Sequence, residues 1–230
     1  MTVPHRSPRT LVLWDVDHTL IETRGVGRAI YDRAFPAVTG RPLAKLAKIA
    51  GRTELDIMAE SLRINDIEPT ADKVGRLADA LVQEYEDARD ELRTTGRALP
   101  DAEETLARLA GDPAVYQAVL SGNLRAVARI KLEVFGLDKY LDLEASAFGD
   151  DHADRSMLVT IAQQRAEQRT GTRFANPDTV LVGDTSNDVK AALTAGVVII
   201  AVATGKTPEE ELRAAGATHV IPNLSAFPQL

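Results

Sequence analysis

The run Leu11-Val12-Leu13-Trp14-Asp15-Val16-Asp17-His18-Thr19-Leu20 divides into an apolar half and an acidic half. Four apolar residues with no polar alternation, cut off by an acid, read as a strand buried on both faces of a parallel sheet. Asp15 stands where that strand leaves the sheet, and Asp17 follows two residues later. In extended chain, positions i and i+2 share a face, so both carboxylates point the same way. Two carboxylates held close cannot both ionise cheaply unless a cation neutralises the pair. The arrangement suits a nucleophile beside an acid, with a divalent metal between them.

Beyond Leu20 the period changes. Residues 27–38 carry Ile30, Ala34, Phe35 and Val38 at helical spacing, and Pro42 breaks the run. A second helix starts near Thr53, carries Leu55, Ile57, Met58 and Leu62, and ends at Asn65-Asp66 and Pro69. Thr70 caps a third, long helix with Val74, Leu77, Leu81, Val82, Tyr85 and Leu92 on one side. An all-helical stretch inserted behind a first strand reads as a small bundle or lid.

Pro100 marks the return to strand–helix alternation. Helices are expected at 101–109, 124–134, 156–168, 188–195 and 208–215. Strands are expected at 115–120, 140–145, 179–182, 197–202 and, as a last edge, 219–221. The fold expected is α/β, a doubly wound parallel sheet with right-handed crossovers, built from residues 1–20 and 97–230, with a helical cap at 21–96. In such sheets the site lies outside the carboxyl ends of the strands. Asp15, Ser121 and Asp184 each follow a predicted strand directly, so they should converge although far apart in sequence.

A net charge of −7 argues against a nucleic-acid surface, which needs clustered Lys and Arg. With no cysteine, disulfides and thiolate metal sites are excluded, whereas an oxygen-ligated metal is not. The N-terminal residues, His5 among them, read as a loose tail without an apolar segment of signal length. No stretch approaches the ~20 apolar residues of a membrane helix. A cytoplasmic protein, monomeric and without membrane partners, is the simplest expectation.

The hexapeptide Asp15-Val16-Asp17-His18-Thr19-Leu20 resembles motif I, Asp-x-Asp-Gly-Thr-Leu, of the haloacid dehalogenase-like superfamily, with His18 in place of the usual Gly. Leu120-Ser121-Gly122-Asn123 resembles its motif II, and Gly183-Asp184-Thr185-Ser186-Asn187-Asp188 its motif IV. Arg155 resembles the basic residue of motif III. Its rival, Lys131, reads as a solvated helix-face lysine. The insertion point is similar to that of members of the phosphoglycolate-phosphatase-like and β-phosphoglucomutase-like branch. The resemblance covers about residues 10 to 222.

The resemblance implies a Rossmann-like core and a Mg²⁺-dependent phosphatase acting on a small phosphorylated metabolite. Phosphate monoesters hydrolyse so slowly unaided that catalysts face rate factors up to ~10²¹. Asp15 would attack phosphorus and form an aspartyl phosphate, and Asp17 would serve the leaving oxygen and the water as general acid and base. Ser121 and the backbone around Gly122 and Asn123 would bind a phosphoryl oxygen. Arg155 would supply the cation. Asp15, the backbone carbonyl of Asp17 and Asp184 would surround the Mg²⁺ ion, with Asp188 either a further ligand or the residue that orients them. Gly51-Arg52-Thr53 resembles a cap loop in which Arg52 reads the substrate, and Glu22 and Arg24 could line the same cleft. A phosphomutase uses the same groups and is the alternative, and a non-catalytic regulator on the same scaffold is a second class. Dehalogenation is disfavoured by the presence of Asp17. His18 reads as a packing or turn residue, His152 and the pair Asp150-Asp151 as loop, and His219 as the start of an edge strand.

Overall fold

The structure, a computed structural model, describes residues 8–49 and 51–230. The expectation for the tail before residue 8, His5 included, lies outside the described residues.

The apolar run forms β1 (Thr10–Trp14), whose residues 11–14 are fully buried, as a central strand requires. The other strands are β2 (Ile21–Glu22), β3 (Arg97–Ala98), β4 (Val115–Val119), β5 (Thr179–Gly183), β6 (Val198–Val202) and β7 (His219–Ile221). Five of them make one parallel sheet in the order β4-β1-β5-β6-β7. Its crossovers are α5 (Ala102–Ala110), α6 (Arg125–Val134), α7 (Arg155–Thr170), α8 (Ser186–Ala195) and α9 (Glu209–Ala214). The fold is α/β, with one apolar cluster on each face of the sheet. Leu11, Leu13 and Leu181 look one way, and Val12, Trp14, Val180 and Val182 look the other. Register then places the site. Trp14 pairs with Val119 on one side and Val182 on the other, and the Asp15 N–H donates to Val182 at 2.9 Å. Chain leaving β1, β4 and β5 therefore emerges at one level.

Residues between β1 and α5 are helical as their spacing predicts. They form α1 (Val26–Thr39), α2 (Glu54–Arg63), α3 (Ala71–Asp87) and α4 (Arg89–Thr95). These share an apolar cluster that includes Ile30, Phe35, Met58, Leu62, Leu77, Leu81 and Leu92. The same cluster takes in Leu124, Val127, Ile130 and Val134 from the loop before α6 and α6 itself, so α6 packs on the inserted helices as well as on the sheet.

Two local expectations, the length of the third helix and the strand at 140–145, are corrected. The helix expected to run through Leu92 breaks at Ala88, and Arg89 then reaches Glu133 of α6 at 2.8 Å. Residues 140–145 are not a strand. Asp142 Oδ1 accepts from the backbone N–H groups of Glu144 and Ala145, a turn that competes with sheet pairing, and only Ala147 bridges to Leu120. Glu22 and Arg24 sit at the two-stranded ribbon of β2 and β3, where Glu22 accepts from Arg97 at 3.0 Å and from Arg24 at 3.5 Å.

The inserted segment meets the sheet's rim backbone to backbone. The Glu54 N–H donates to the Gly122 carbonyl at 2.7 Å, and a Cβ at Gly122 would overlap the Arg52 carbonyl. One at Gly149 would overlap the Gly122 carbonyl. Neither obstacle is the end of a flexible side chain, so neither can step aside cheaply. Gly149→Ala is expected to lower stability by about 1–3 kcal/mol through overpacking, read as a drop in the urea midpoint at unchanged m-value.

Candidate active site

Asp15, Asp184 and Asp188 bring carboxylate oxygens within 4.8 Å of one another, all three residues being buried. Local chemistry explains how each is held. Asp188 is the third residue of α8 and closes a capping box with Thr185. The Thr185 Oγ1 accepts from the Asp188 N–H at 3.2 Å, and Asp188 Oδ2 accepts from the Thr185 N–H at 3.0 Å. That fixes one oxygen of Asp188 at the helix end and turns the other inward. Gly183 is required here, because a Cβ would overlap the Asp188 carboxyl. Gly205 likewise leaves room for Asp184, whose Oδ2 lies where a Cβ would stand. Glycines thus clear the space into which two acids project.

Arg155 opens α7 and is buried between carboxylates, with Nη2 at 2.8 Å from Asp15 Oδ1 and 2.6 Å from Asp188 Oδ1. Asp154 caps α7 through the Ser156 N–H at 2.9 Å, so it does not draw Arg155 outward. Asp151 pairs with Arg165, as a loop acid rather than a ligand.

One guanidinium cannot balance three acids. Burial pushes the Asp15 carboxyl up to about 7; Arg155 opposes this, and repulsion from Asp188 and Asp17 adds to it. Burial and repulsion from Asp15 and Asp188 push Asp184 up to about 9, and its Oδ1 has no hydrogen-bond partner. An orphaned buried oxygen in an all-oxygen cluster fits a hard divalent cation. The carboxylate of Asp17 is not part of this cluster.

Asp17 has a separate environment. Its oxygens accept from Lys131 Nζ at 2.9 and 2.8 Å, and Oδ2 accepts from Asn123 Nδ2 at 2.7 Å. Burial raises its pKa, but the Lys131 charge and these hydrogen bonds outweigh it and hold the group below the usual carboxylate range. Asp17 nonetheless keeps 35% of its side-chain surface accessible. The reading of Lys131 as a solvated lysine is corrected. It is buried on the apolar stripe of α6, with Val127 one turn before it and Val134 one turn after. A lysine at that register was the available signal, and sequence reasoning passed over it.

The motif II residues brace this pair. Asn123 Nδ2 also donates to Ser121 Oγ at 2.8 Å, and its Oδ1 accepts from Lys131 at 2.7 Å. Asn123 is therefore fully engaged with protein groups, while Gly122 serves the seam to Glu54. Arg52 lies at a cleft of about 350 Å³ between its own loop, the start of α7 and α8, with Nε donating to Asp56 at 2.6 Å. His18 adopts φ 61°, the left-handed region that glycine occupies without strain. Its carbonyl accepts from Thr204 Oγ1 at 2.5 Å.

The model of the family described as haloacid dehalogenase-like hydrolase matches residues 12–193. The chain belongs to that family. It is 28% identical to "Phosphoglycolate phosphatase, plasmid" of Cupriavidus necator, over 97% of this chain and 93% of that relative. It is also 28% identical to "Probable phosphatase IndB" of Dickeya dadantii, over 96% and 98%. Among solved structures, a hydrolase from Pseudomonas syringae superposes with a TM-score of 0.70 at 21% identity, covering 94% of each chain. CbbY from Rhodobacter sphaeroides in complex with phosphate does so at 0.70 and 18%, over 94% and 95%. These two likenesses support the haloacid dehalogenase-like fold. No helix among the described residues is long and apolar enough to cross a membrane.

The acid cluster generates a pH prediction. Asp15 and Asp184 bind protons in the folded state at pH values where the unfolded chain has released them, so stability falls as pH rises from about 4 toward 9. A bound divalent cation stabilises the ionised forms and removes that fall. Magnesium is expected to raise the melting temperature more at pH 8.5 than at pH 5.5 in a thermal-shift titration against chelator. Equal shifts at both pH values would contradict the assignment.

Proposed function

We propose that the protein is a Mg²⁺-dependent phosphatase that hydrolyses a small phosphorylated metabolite through an aspartyl phosphate on Asp15. The observation that carries this reading is the division of labour between two acids two residues apart. Asp15 lies in an electron-rich, cation-demanding cluster, and Asp17 lies apart from it in an ion pair with Lys131.

Asp15 Oδ is the nucleophile, oriented by Arg155 for attack on phosphorus. When bound, Mg²⁺ held by Asp15, Asp184 and Asp188, with the Asp17 carbonyl as a further ligand, neutralises these acids and screens the charge of the transferring phosphoryl group. Ser121, with the N–H groups at the start of α6, receives a phosphoryl oxygen. Asp17 stands ready to take a proton from the water that cleaves the acyl phosphate. In the first half-reaction the protonated form of Asp17 gives its proton to the departing ester oxygen, and the proton taken from water in the second restores that form, so each turnover leaves its protonation unchanged. Asn123 and Lys131 fix its position. Arg155 and Lys131 thus serve two different acids rather than compete for one role. In this reading residues 21–96 are the cap and the remainder the catalytic core, with Arg52 at the cleft mouth.

Hydrolysis of an aryl phosphate with Mg²⁺ and not with chelator is the first test. Asp15→Asn should reduce turnover at least ~10³-fold with the fold retained. Wild type quenched in acid during turnover should carry a base-labile phosphoryl group that the variant lacks. Undiminished turnover in Asp15→Asn would remove the nucleophile. Product analysis with a sugar phosphate separates inorganic phosphate from an isomerised sugar phosphate, the phosphomutase outcome.

Lys131→Met gives an independent check. Without the ammonium, burial of Asp17 loses its main opponent, only the weaker effects of Asn123 and His18 remain against it, and the pKa rises. The alkaline limb of the kcat/KM profile, set by loss of the proton that Asp17 gives to the leaving oxygen, should therefore move to higher pH. An unmoved limb would show that Asp17 does not set it.

A further inference from the structure

Tyr31, Glu54 and Tyr85 come from three successive helices, α1, α2 and α3, and all three are buried. None has a part in the chemistry above. They meet beside the Asp17–Lys131 pair. Tyr31 Oη donates to Glu54 Oε1 at 2.5 Å, and Lys131 Nζ lies 5.2 Å from the centroid of the Tyr85 ring. The Tyr85 hydroxyl is held close over Gly27, where a Cβ would stand 2.9 Å from it. Glu54 is tied to the core by its own N–H on the Gly122 carbonyl, one residue beyond Ser121. Lys131 and Asp17 are the charges that act on its carboxyl.

A buried carboxylate is costly unless its oxygens are partnered. Glu54 Oε1 is satisfied by Tyr31. Glu54 Oε2 takes no hydrogen bond among the described residues, yet it is not one of the sealed orphan atoms, so it faces accessible space. Asp17 also keeps accessible surface there. A phosphate monoester with its phosphorus at Asp15 places its ester oxygen at Asp17 and the rest of its leaving group beyond. That remainder must therefore meet whatever the inserted helices present.

What they present is an acceptor. Lys131 has no donor left over: its ammonium is engaged by both oxygens of Asp17 and by Asn123 Oδ1. Arg155 spends Nη2 on Asp15 and Asp188, and Arg52 spends Nε on Asp56. A leaving group ending in a carboxylate would bring a third negative charge to Glu54 and Asp17, where the cation that acts on Glu54, Lys131, is already engaged. One ending in a hydroxyl or ammonium would complete the hydrogen bonding of Glu54 Oε2.

We propose that Glu54, braced by Tyr31, is a specificity-determining residue that selects phosphate esters whose leaving group carries a hydrogen-bond donor, hydroxyl or ammonium, and rejects those ending in a carboxylate. This rests on the phosphatase reading and narrows its substrate class. It also separates this chain from the activity for which its Cupriavidus necator relative is named.

Three two-carbon monoesters differing only in the terminal group give the test: ethylene glycol monophosphate, ethanolamine phosphate and phosphoglycolate. With Mg²⁺, kcat/KM for the hydroxyl and ammonium esters should exceed that for phosphoglycolate at least tenfold. In Glu54→Gln the ammonium-to-carboxylate ratio should fall at least tenfold and the hydroxyl-to-carboxylate ratio less, because the amide retains an acceptor but no charge. A ratio cancels any loss of turnover common to all three esters. Glu54→Asp, which retains the charge but withdraws it by one methylene, serves if the Gln variant does not fold. The wild-type comparison needs no variant at all. Phosphoglycolate equal to or ahead of the others, or a ratio unmoved in the variants, overturns the inference while leaving the phosphatase reading intact. Silence on all three esters and on an aryl phosphate overturns both.

Discussion

Like charges forced together out of water are the constraint on which the rest of this structure depends. Three carboxylates within 4.8 Å, buried and faced by one guanidinium, are unfavourable by themselves. They persist because separate elements over-determine their positions: the end of β1, the end of β5 and the capping box of α8. Each element is stable for reasons unrelated to the site, through apolar strand burial or helix capping. Their combined stability holds charges where solution chemistry would separate them.

The two cations are not redundant, and the sheet shows why. Arg155 approaches from α7 toward Asp15 and Asp188, whereas Lys131 approaches from α6 toward Asp17. Arg155 meets both of its acids through a single nitrogen, Nη2, whereas the compact ammonium of Lys131 is spent on the two oxygens of one acid, Asp17. The result is two acids two residues apart with opposite tendencies, Asp15 raised to about 7 and Asp17 depressed. Environments that drive neighbouring titratable groups apart are how one scaffold supports both nucleophilic and proton-transfer roles.

The sheet was legible because its strands are apolar runs that end at chemistry-bearing residues. Val12 and Trp14 lie on one face and Leu11 and Leu13 on the other, which an uninterrupted apolar run anticipates. The convergence of Asp15 and Asp184 was legible from the same ends. The paired two-residue strands β2 and β3 were not, since two residues show no period, and neither was the turn around Asp142, where a side chain captured backbone donors. Lys131 was missed because charge was weighed above register: its place on the apolar stripe of α6 said buried while its identity said solvated. The Tyr31–Glu54 pair lies beyond any one-dimensional pattern. Its members are 23 residues apart on different helices.

His18 shows how a departure from a motif can be absorbed. Glycine is usual there because the chain turns through positive φ, and His18 holds φ 61° at a cost of order 1–3 kcal/mol. Around it, the His18 N–H donates to the Ile21 carbonyl at 2.7 Å and Thr204 Oγ1 donates to the His18 carbonyl. Those two bonds fix the peptide units on both sides of the strained residue. Thr204 adjoins Gly205, the glycine that clears space for Asp184. A single loop after β6 therefore steadies the turn that aims Asp17 and shapes the wall against which Asp184 rests. The strain at residue 18 is supported from the same loop that the acid cluster requires.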